Sequence, residues 1–177
     1  MIDQIFFDTD CFSSFLWVGK ENLLVQIYKN QLIVPTQVYN EIRKVPPLKR
    51  RTDSLLANGD IVLGSIVLGT PEADIYLKLT SRPDPGYKII GAGEASSISL
   101  ALHNNGIVGS NNMRDIRPYI DLYKLKHITT GDIMINALTK GLISEGQGNT
   151  IWTDMISRQR MLPTLSFSDY LASKKIS

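Results

Sequence analysis

With 177 residues, 43% of them hydrophobic, the chain carries enough apolar material for one domain with a real core, which excludes a largely disordered protein. A formal net charge of +2 gives the whole molecule only a faint attraction for polyanions. Cys11 is the one cysteine, so neither an intrachain disulfide nor a cysteine-rich zinc site can be assembled, and a reducing compartment is the expectation. The start, Met1-Ile2-Asp3-Gln4, lacks the basic segment and apolar run of a secretory signal. No stretch approaches the roughly 18 apolar residues of a spanning helix, so a cytoplasmic protein without a membrane partner is expected.

In chain order, Gln4 to Phe7 is a short apolar run that reads as a buried strand ending at Asp8. Ser13 to Lys29 has helical spacing, with Leu16, Leu23, Leu24 and Ile27 on one side. Gln31 to Val34 reads as a second strand. Pro35 suits a first helical turn, Thr36 to Lys44 continues the helix, and Pro46-Pro47 stops it. Leu48 to Ala57 reads as a helix closed by Asn58-Gly59, and Ile61 to Val67 as a strand interrupted by Gly64. Pro71 to Leu79 is helical, its Pro71, Glu72 and Asp74 all suited to a first turn, and Ser81 to Tyr87 is a loop. Gly91-Ala92-Gly93 opens a helix from Glu94 to about Asn104, which Asn104-Asn105-Gly106 ends. Ile107 to Ser110 is a strand, Met113 to Leu122 a helix and Leu125 to Ile128 a last strand. Gly131 to Gly141, Thr150 to Arg160 and Phe167 to Ala172 are helices.

Strands alternating with helices imply a parallel sheet covered on both faces, with its crevice at the carboxyl ends of the strands. Asp8 follows the first strand, Glu41 rides the helix after the second, Glu94 opens a later helix, and Asp115 follows the strand that this helix feeds. These acids can therefore meet at one edge of the sheet. Carboxylates without cysteine or histidine select hard cations such as Mg2+ or Mn2+, which can polarise a phosphodiester and acidify a water. Crowded carboxylates also raise one another's pKa when no metal is present. The plainer alternative is that Asp, Glu and Asn at helix starts are caps.

Four segments resemble the motifs of PIN domains, in family order: Phe6-Phe7-Asp8-Thr9-Asp10; Val34-Pro35 through Glu41-Ile42; Gly91-Ala92-Gly93-Glu94-Ala95 through Leu100-Ala101; and Val108-Gly109-Ser110-Asn111-Asn112-Met113-Arg114-Asp115-Ile116. The resemblance spans residues 2 to about 130. It implies a three-layer α/β fold around a parallel sheet over 1–130, with 131–177 as a C-terminal helical extension packed on it. It further implies a Mg2+- or Mn2+-dependent ribonuclease, often the toxin of a VapC-type toxin–antitoxin pair, so that RNA, a cognate antitoxin and a second copy of the chain become candidate partners. By position, Asp8, Glu94 and Asp115 would be metal ligands and Glu41 a further ligand or the residue orienting the attacking water. Asp10, Ser110 and Asn112 would support them. The rivals are a PIN-like binding module without activity and a phosphohydrolase acting on DNA or nucleotides. Several residues depart from the family pattern. Asp10 stands where Asn is usual, Ser110 where Thr is commoner, and Asn111-Asn112 leave Asp115 as the only acid of its motif. Pro163 to Leu171 is similar to the tail of a larger bacterial subgroup to which no role is assigned.

Arg43, Lys44, Lys49, Arg50 and Arg51 form a basic cluster just beyond Glu41. It reads either as a phosphate-binding track for RNA or as a solvated helix face. Gly91-Ala92-Gly93 lacks the third glycine of a dinucleotide-binding turn, since Ser96 stands there, and more simply lets the backbone turn tightly. His103 and His127 have no ligand spacing, and Trp17, Trp152 and the methionines read as packing residues.

Overall fold

A computed structural model describes residues 3–175; Met1, Ile2, Ile176 and Ser177, which begin the expected core segment and end the expected extension, lie outside the described residues. The chain forms β1 (Ile5–Phe7), α1 (Thr9–Trp17), α2 (Glu21–Ile27), β2 (Leu32–Pro35), α3 (Thr36–Ile42), α4 (Pro46–Ala57), β3 (Val62–Gly64) and α5 (Pro71–Ser81). Then follow α6 (Ala92–His103), β4 (Ile107–Gly109), α7 (Met113–Tyr123), β5 (Lys126–Ile128), α8 (Thr130–Thr139), α9 (Glu145–Ser157) and α10 (Phe167–Lys175). The five strands make one parallel sheet in the order β3-β2-β1-β4-β5. The fold is three-layer α/β.

The central strands are apolar throughout because both faces of the sheet are covered. Their side chains alternate between two clusters with the period of a strand. Ile5, Phe7, Leu32 and Val34 enter one cluster, together with residues of α1–α4 and α8–α10. Phe6, Ile33 and Val108 enter the other, against Leu79 of α5, Ile98 of α6 and Ile116 of α7. Register fixes this sorting: Ile5 pairs with Leu32 on one side and Ile107 on the other. A slip of one residue would send Phe6 to the wrong layer.

Several boundaries differ from the sequence reading, each for a local reason. The helical segment at 13–29 is two helices. The first begins at Thr9, because the Asp8 side chain accepts from the Cys11 N–H and caps it. The break falls at Gly19, whose φ of +65° only glycine takes without strain. The guanidinium of Arg51 lies over Gly19 and pairs with Glu21 at 2.8 Å, at the start of α2. Pro46-Pro47 opens α4 as well as ending α3, since proline needs no N–H partner in a first turn. β3 stops at Gly64, which lies against Ile33 and Leu100 with no room for a side chain. α9 starts at Glu145 because Ser144 and Gln147 form a reciprocal cap.

The segment from α8 onward shares the core of β1 and α1. Phe167 and Tyr170 pack their rings at a tilt against Trp152, with centroid separations of 5.8 and 5.3 Å, and Trp152 donates to the Thr164 carbonyl at 2.9 Å. α10 closes on two glycines: the Tyr170 ring lies on Gly131 of α8 and the Phe167 ring on Gly148 of α9, in the volume a Cβ would occupy. Gly131→Ala is therefore expected to push α10 off its seat and cost about 1–3 kcal/mol, the usual range for overpacking. Chemical denaturation checks this, and an unchanged midpoint would mean that α10 is not packed as described.

Candidate functional site

The chain crosses the middle of the sheet between β1 and β4, and in such sheets a crevice opens where the strand order reverses. Asp8 lies there. Its N–H donates to Gly109 at 2.8 Å, extending the pairing of β1 with β4, and its side chain is 2% exposed. One carboxylate oxygen accepts from Cys11 N–H at 2.8 Å and the other from the Ser110 hydroxyl. Ser110 also accepts from the Asn112 N–H at 3.2 Å. The Asn112 amide then donates to Glu94 at 2.5 Å and to Asp115 at 2.9 Å. Asp8, Ser110, Asn112, Glu94 and Asp115 thus form one hydrogen-bonded chain of groups drawn from two helices, α6 and α7, and from the β1–α1 and β4–α7 junctions. Beneath it, His127 Nε2 lies 3.0 Å from the Ser110 carbonyl. That nitrogen must carry the proton, because a carbonyl can only accept; burial keeps the imidazole pKa below its ordinary value.

Glu94 sits in the first turn of α6 and reaches back to accept from Gly91 N–H at 3.1 Å, so it is both a cap and a network member. Glu41 reaches the same crevice from α3, where one of its oxygens accepts from the Thr9 hydroxyl. A Cβ on Gly93 would stand 2.9 Å from the Thr9 hydroxyl and 3.4 Å from the Glu41 carboxylate. The glycine thus lets α6 approach the acids. Asp8, Thr9, Asp10, Glu41, Gly91, Gly93 and Glu94 line a cleft of about 250 Å3. Asp115 faces a neighbouring, larger cleft, and the two clefts meet at Asp10. Asp10 is exposed, and its carboxylate lies 3.5 Å from Arg160, on the segment after α9.

The electrostatics follow from this packing. Burial lifts the Asp8 pKa to about 7; the bonds from Ser110 and Cys11 oppose the rise, and the charges of Asp10 and Glu94 add to it. Glu94 is also raised, first by burial and then by Asp115 and Asp10, against the bonds from Asn112 and Gly91. Both acids would be relieved by a positive charge, whether a proton or a cation. The donors are all oxygens, as hard divalent cations prefer. Among the described residues no three His, Cys, Asp or Glu side chains converge as a ready-made metal cage. Magnesium does not require one, being held commonly by one or two carboxylates with waters and substrate phosphate completing the shell. Asp8 and Glu94 each spend two hydrogen bonds, leaving lone pairs that could hold such an ion.

The basic cluster divides. Lys49 pairs with Asp53 at 2.5 Å, and Tyr39 holds the same carboxylate at 2.7 Å. Arg51 serves Glu21, a buried acid whose second oxygen has no partner among the described residues. Arg43, Lys44 and Arg50 are exposed and form no ion pair among the described residues. Sequence reasoning missed Thr9, which fixes Glu41; Asn111, which ties the β4 end to Thr130 through two 2.9 Å bonds; and Arg160. Thr9 was within reach of a cap-based reading of Asp8-Thr9-Asp10. Nothing in the sequence marks Arg160. His103 pairs with Glu72 at 3.5 Å, away from the acids.

No helix among the described residues is long and apolar enough to cross a membrane. Compared with protein-family models, with curated proteins and with solved structures, the chain matches none.

Two outcomes follow. An Asp pKa raised on folding means the folded state binds the proton more tightly, so the stability it contributes is present at low pH and lost as pH rises from about 4 to about 7. Asp8→Asn should stabilise the metal-free protein at pH 8 by up to about 4 kcal/mol, and by little at pH 4. Urea midpoints across pH check this, and a constant difference would show that Asp8 ionises freely. Arg51→Ala should cost about 1–2 kcal/mol by leaving buried Glu21 unpaired, whereas Arg43→Ala, Lys44→Ala and Arg50→Ala should cost almost nothing in the same measurement.

Proposed function

We propose that the chain is a PIN-type nuclease that hydrolyses RNA phosphodiester bonds with Mg2+ or Mn2+. The observation that supports this most is the buried Asp8 at the strand-order reversal, joined through Ser110 and Asn112 to Glu94 and Asp115. A cap alone needs no burial at the centre of the sheet and no second donor. When bound, such an ion polarises the phosphoryl group and lowers the pKa of a water. Asp8 and Glu94 would hold it, with Asp115 contributing from the second cleft. Glu41, fixed by Thr9, faces the same cleft and would orient or deprotonate the attacking water. Ser110 and Asn112 keep the carboxylates from turning away, a role that hydrogen-bond donors around metal ligands commonly have. Arg43, Lys44 and Arg50 are free to attract the RNA backbone, while Lys49 and Arg51 are occupied in ion pairs.

The test is cleavage of labelled RNA, DNA and mononucleotides with Mg2+, with Mn2+ and with chelator. RNA should be cut only with metal, and Asp8→Asn or Glu94→Gln should lower the rate at least about 100-fold while the fold persists, as loss of a group acting in the transition state does. Asn112→Ala should fall between, because the carboxylates remain but lose their brace. Preference for DNA or mononucleotides would make the chain a different phosphohydrolase. Metal-dependent RNA binding without cleavage would make it a binding module.

A further inference from the structure

The larger cleft beside the acids is walled by the segment after α9. Asp10, Asn112, Arg114, Asp115, Arg160 and Met161 line it, and its volume is about 570 Å3, enough for a nucleotide unit. Two of these residues are cationic and come from different segments, Arg114 from α7 and Arg160 from the stretch after α9. Arg114 is exposed in the first turn of α7 and forms no ion pair among the described residues. Arg160 is held in place: its guanidinium carbon lies 5.9 Å from the Trp17 ring centroid, its Nε donates to the Arg158 carbonyl at 3.1 Å, and it faces Asp10 at 3.5 Å. The chain arrives there through Gln159, a non-glycine residue with φ of +60°. Backbone of that kind carries strain and persists where its surroundings impose it. The Asp10 contact is too long for a hydrogen bond, so Nη donors remain for a ligand.

An adjoining apolar groove, lined by Asn111, Met113, Met161, Leu162, Pro163 and Tyr170, shares Asn111, Met113 and Met161 with this cleft. A charged cleft running into an apolar groove beside a phosphodiester site matches the two halves of a nucleotide. Resting on the nuclease reading above, we propose that this is a nucleotide subsite for single-stranded RNA, in which Arg160 and Arg114 bind the phosphate next to the scissile one and its base lies against Met113 and Met161. The carboxylates of Asp10 and Asp115 in the same cleft oppose an anion, and the two arginines offset them. Asp10 competes with the phosphate for Arg160.

The experiment is fluorescence anisotropy of a labelled single-stranded oligoribonucleotide over a salt series, in the Asp8→Asn background, with melting temperatures on every variant. Arg160→Ala and Arg114→Ala should each weaken binding about tenfold and flatten the salt dependence by about 0.7 in log–log slope, the expected loss of one phosphate contact on a single strand. Arg160→Lys should restore the slope but only part of the affinity, since it keeps charge and loses the planar fork. Met161→Ala should weaken binding without changing the slope. Asp10→Ala should tighten binding, because it frees Arg160; a brace between Asp10, Arg160 and Trp17 would instead make Asp10→Ala and Arg160→Ala melt alike and bind as the parent does. Arg114 takes no part in packing, so its variant reports even if Arg160→Ala unfolds. RNA binding that both arginine variants leave untouched overturns this subsite alone. Failure of the Asp8→Asn parent to bind any oligoribonucleotide overturns the subsite, and the cleavage assay on the unsubstituted chain decides the nuclease reading separately.

Discussion

A carboxylate kept out of water at the end of the central strand governs the rest of this molecule. Asp8 is nearly inaccessible, and its pKa is pushed to about 7, so its ionised form is held at a cost that burial imposes and hydrogen bonds only partly offset. The surrounding elements are arranged around that cost. α1 begins where it does because Asp8 caps it, Ser110 ends β4 with its hydroxyl on Asp8, and Asn112 extends the bonding to two more acids. An apolar residue could pack at the end of β1 without any of this. The concentration of negative charge at one point of the sheet is thus a feature that packing alone does not require.

The two layers contribute differently. The layer of α5, α6 and α7 supplies Glu94 and Asp115 and packs on Phe6, Ile33 and Val108. The opposite layer supplies Glu41 from α3 and, through the segment after α9, Arg160. Gly93 allows α6 to come close to Thr9 and Glu41 across this divide. Acids from both layers therefore meet over the carboxyl ends of β1 and β4, where neither layer by itself could surround a ligand.

The sequence carried the layered α/β architecture openly, because alternation of short apolar runs with helical segments has few other solutions. Ile5-Phe6-Phe7 and Leu32-Ile33-Val34 were legible as strands buried on both faces. The apolar spacing over 13–29 predicts one helix where the structure has two, because that spacing continues through Gly19 while the helical backbone does not. α1 begins at Thr9, ahead of the apolar periodicity, because the Asp8 side chain caps it there, and helical spacing alone does not register a cap. Asp8, Glu41, Glu94 and Asp115 stand out in the sequence as candidates by their positions after strands and at or near helix starts. Their hydrogen-bond partners were partly visible, through Ser110 and Asn112. Contacts between residues far apart in the chain, such as Thr9 with Glu41 or Arg160 with Asp10, leave no periodic or compositional trace. The basic cluster shows the same limit in reverse: five cations adjacent in sequence have different partners in space.

The distance along the chain between Asp10 and Arg160 has a bearing on synthesis. A chain made from its N-terminus exposes Asp8, Glu41, Glu94 and Asp115 well before residue 160 leaves the ribosome. The wall that carries Arg160 can seat only after α9 has formed, and the aromatic group of Trp152, Phe167 and Tyr170 is completed by α10. The larger cleft is accordingly completed only after all four acids have been made. A nascent chain would carry its acids before their cationic wall has been made.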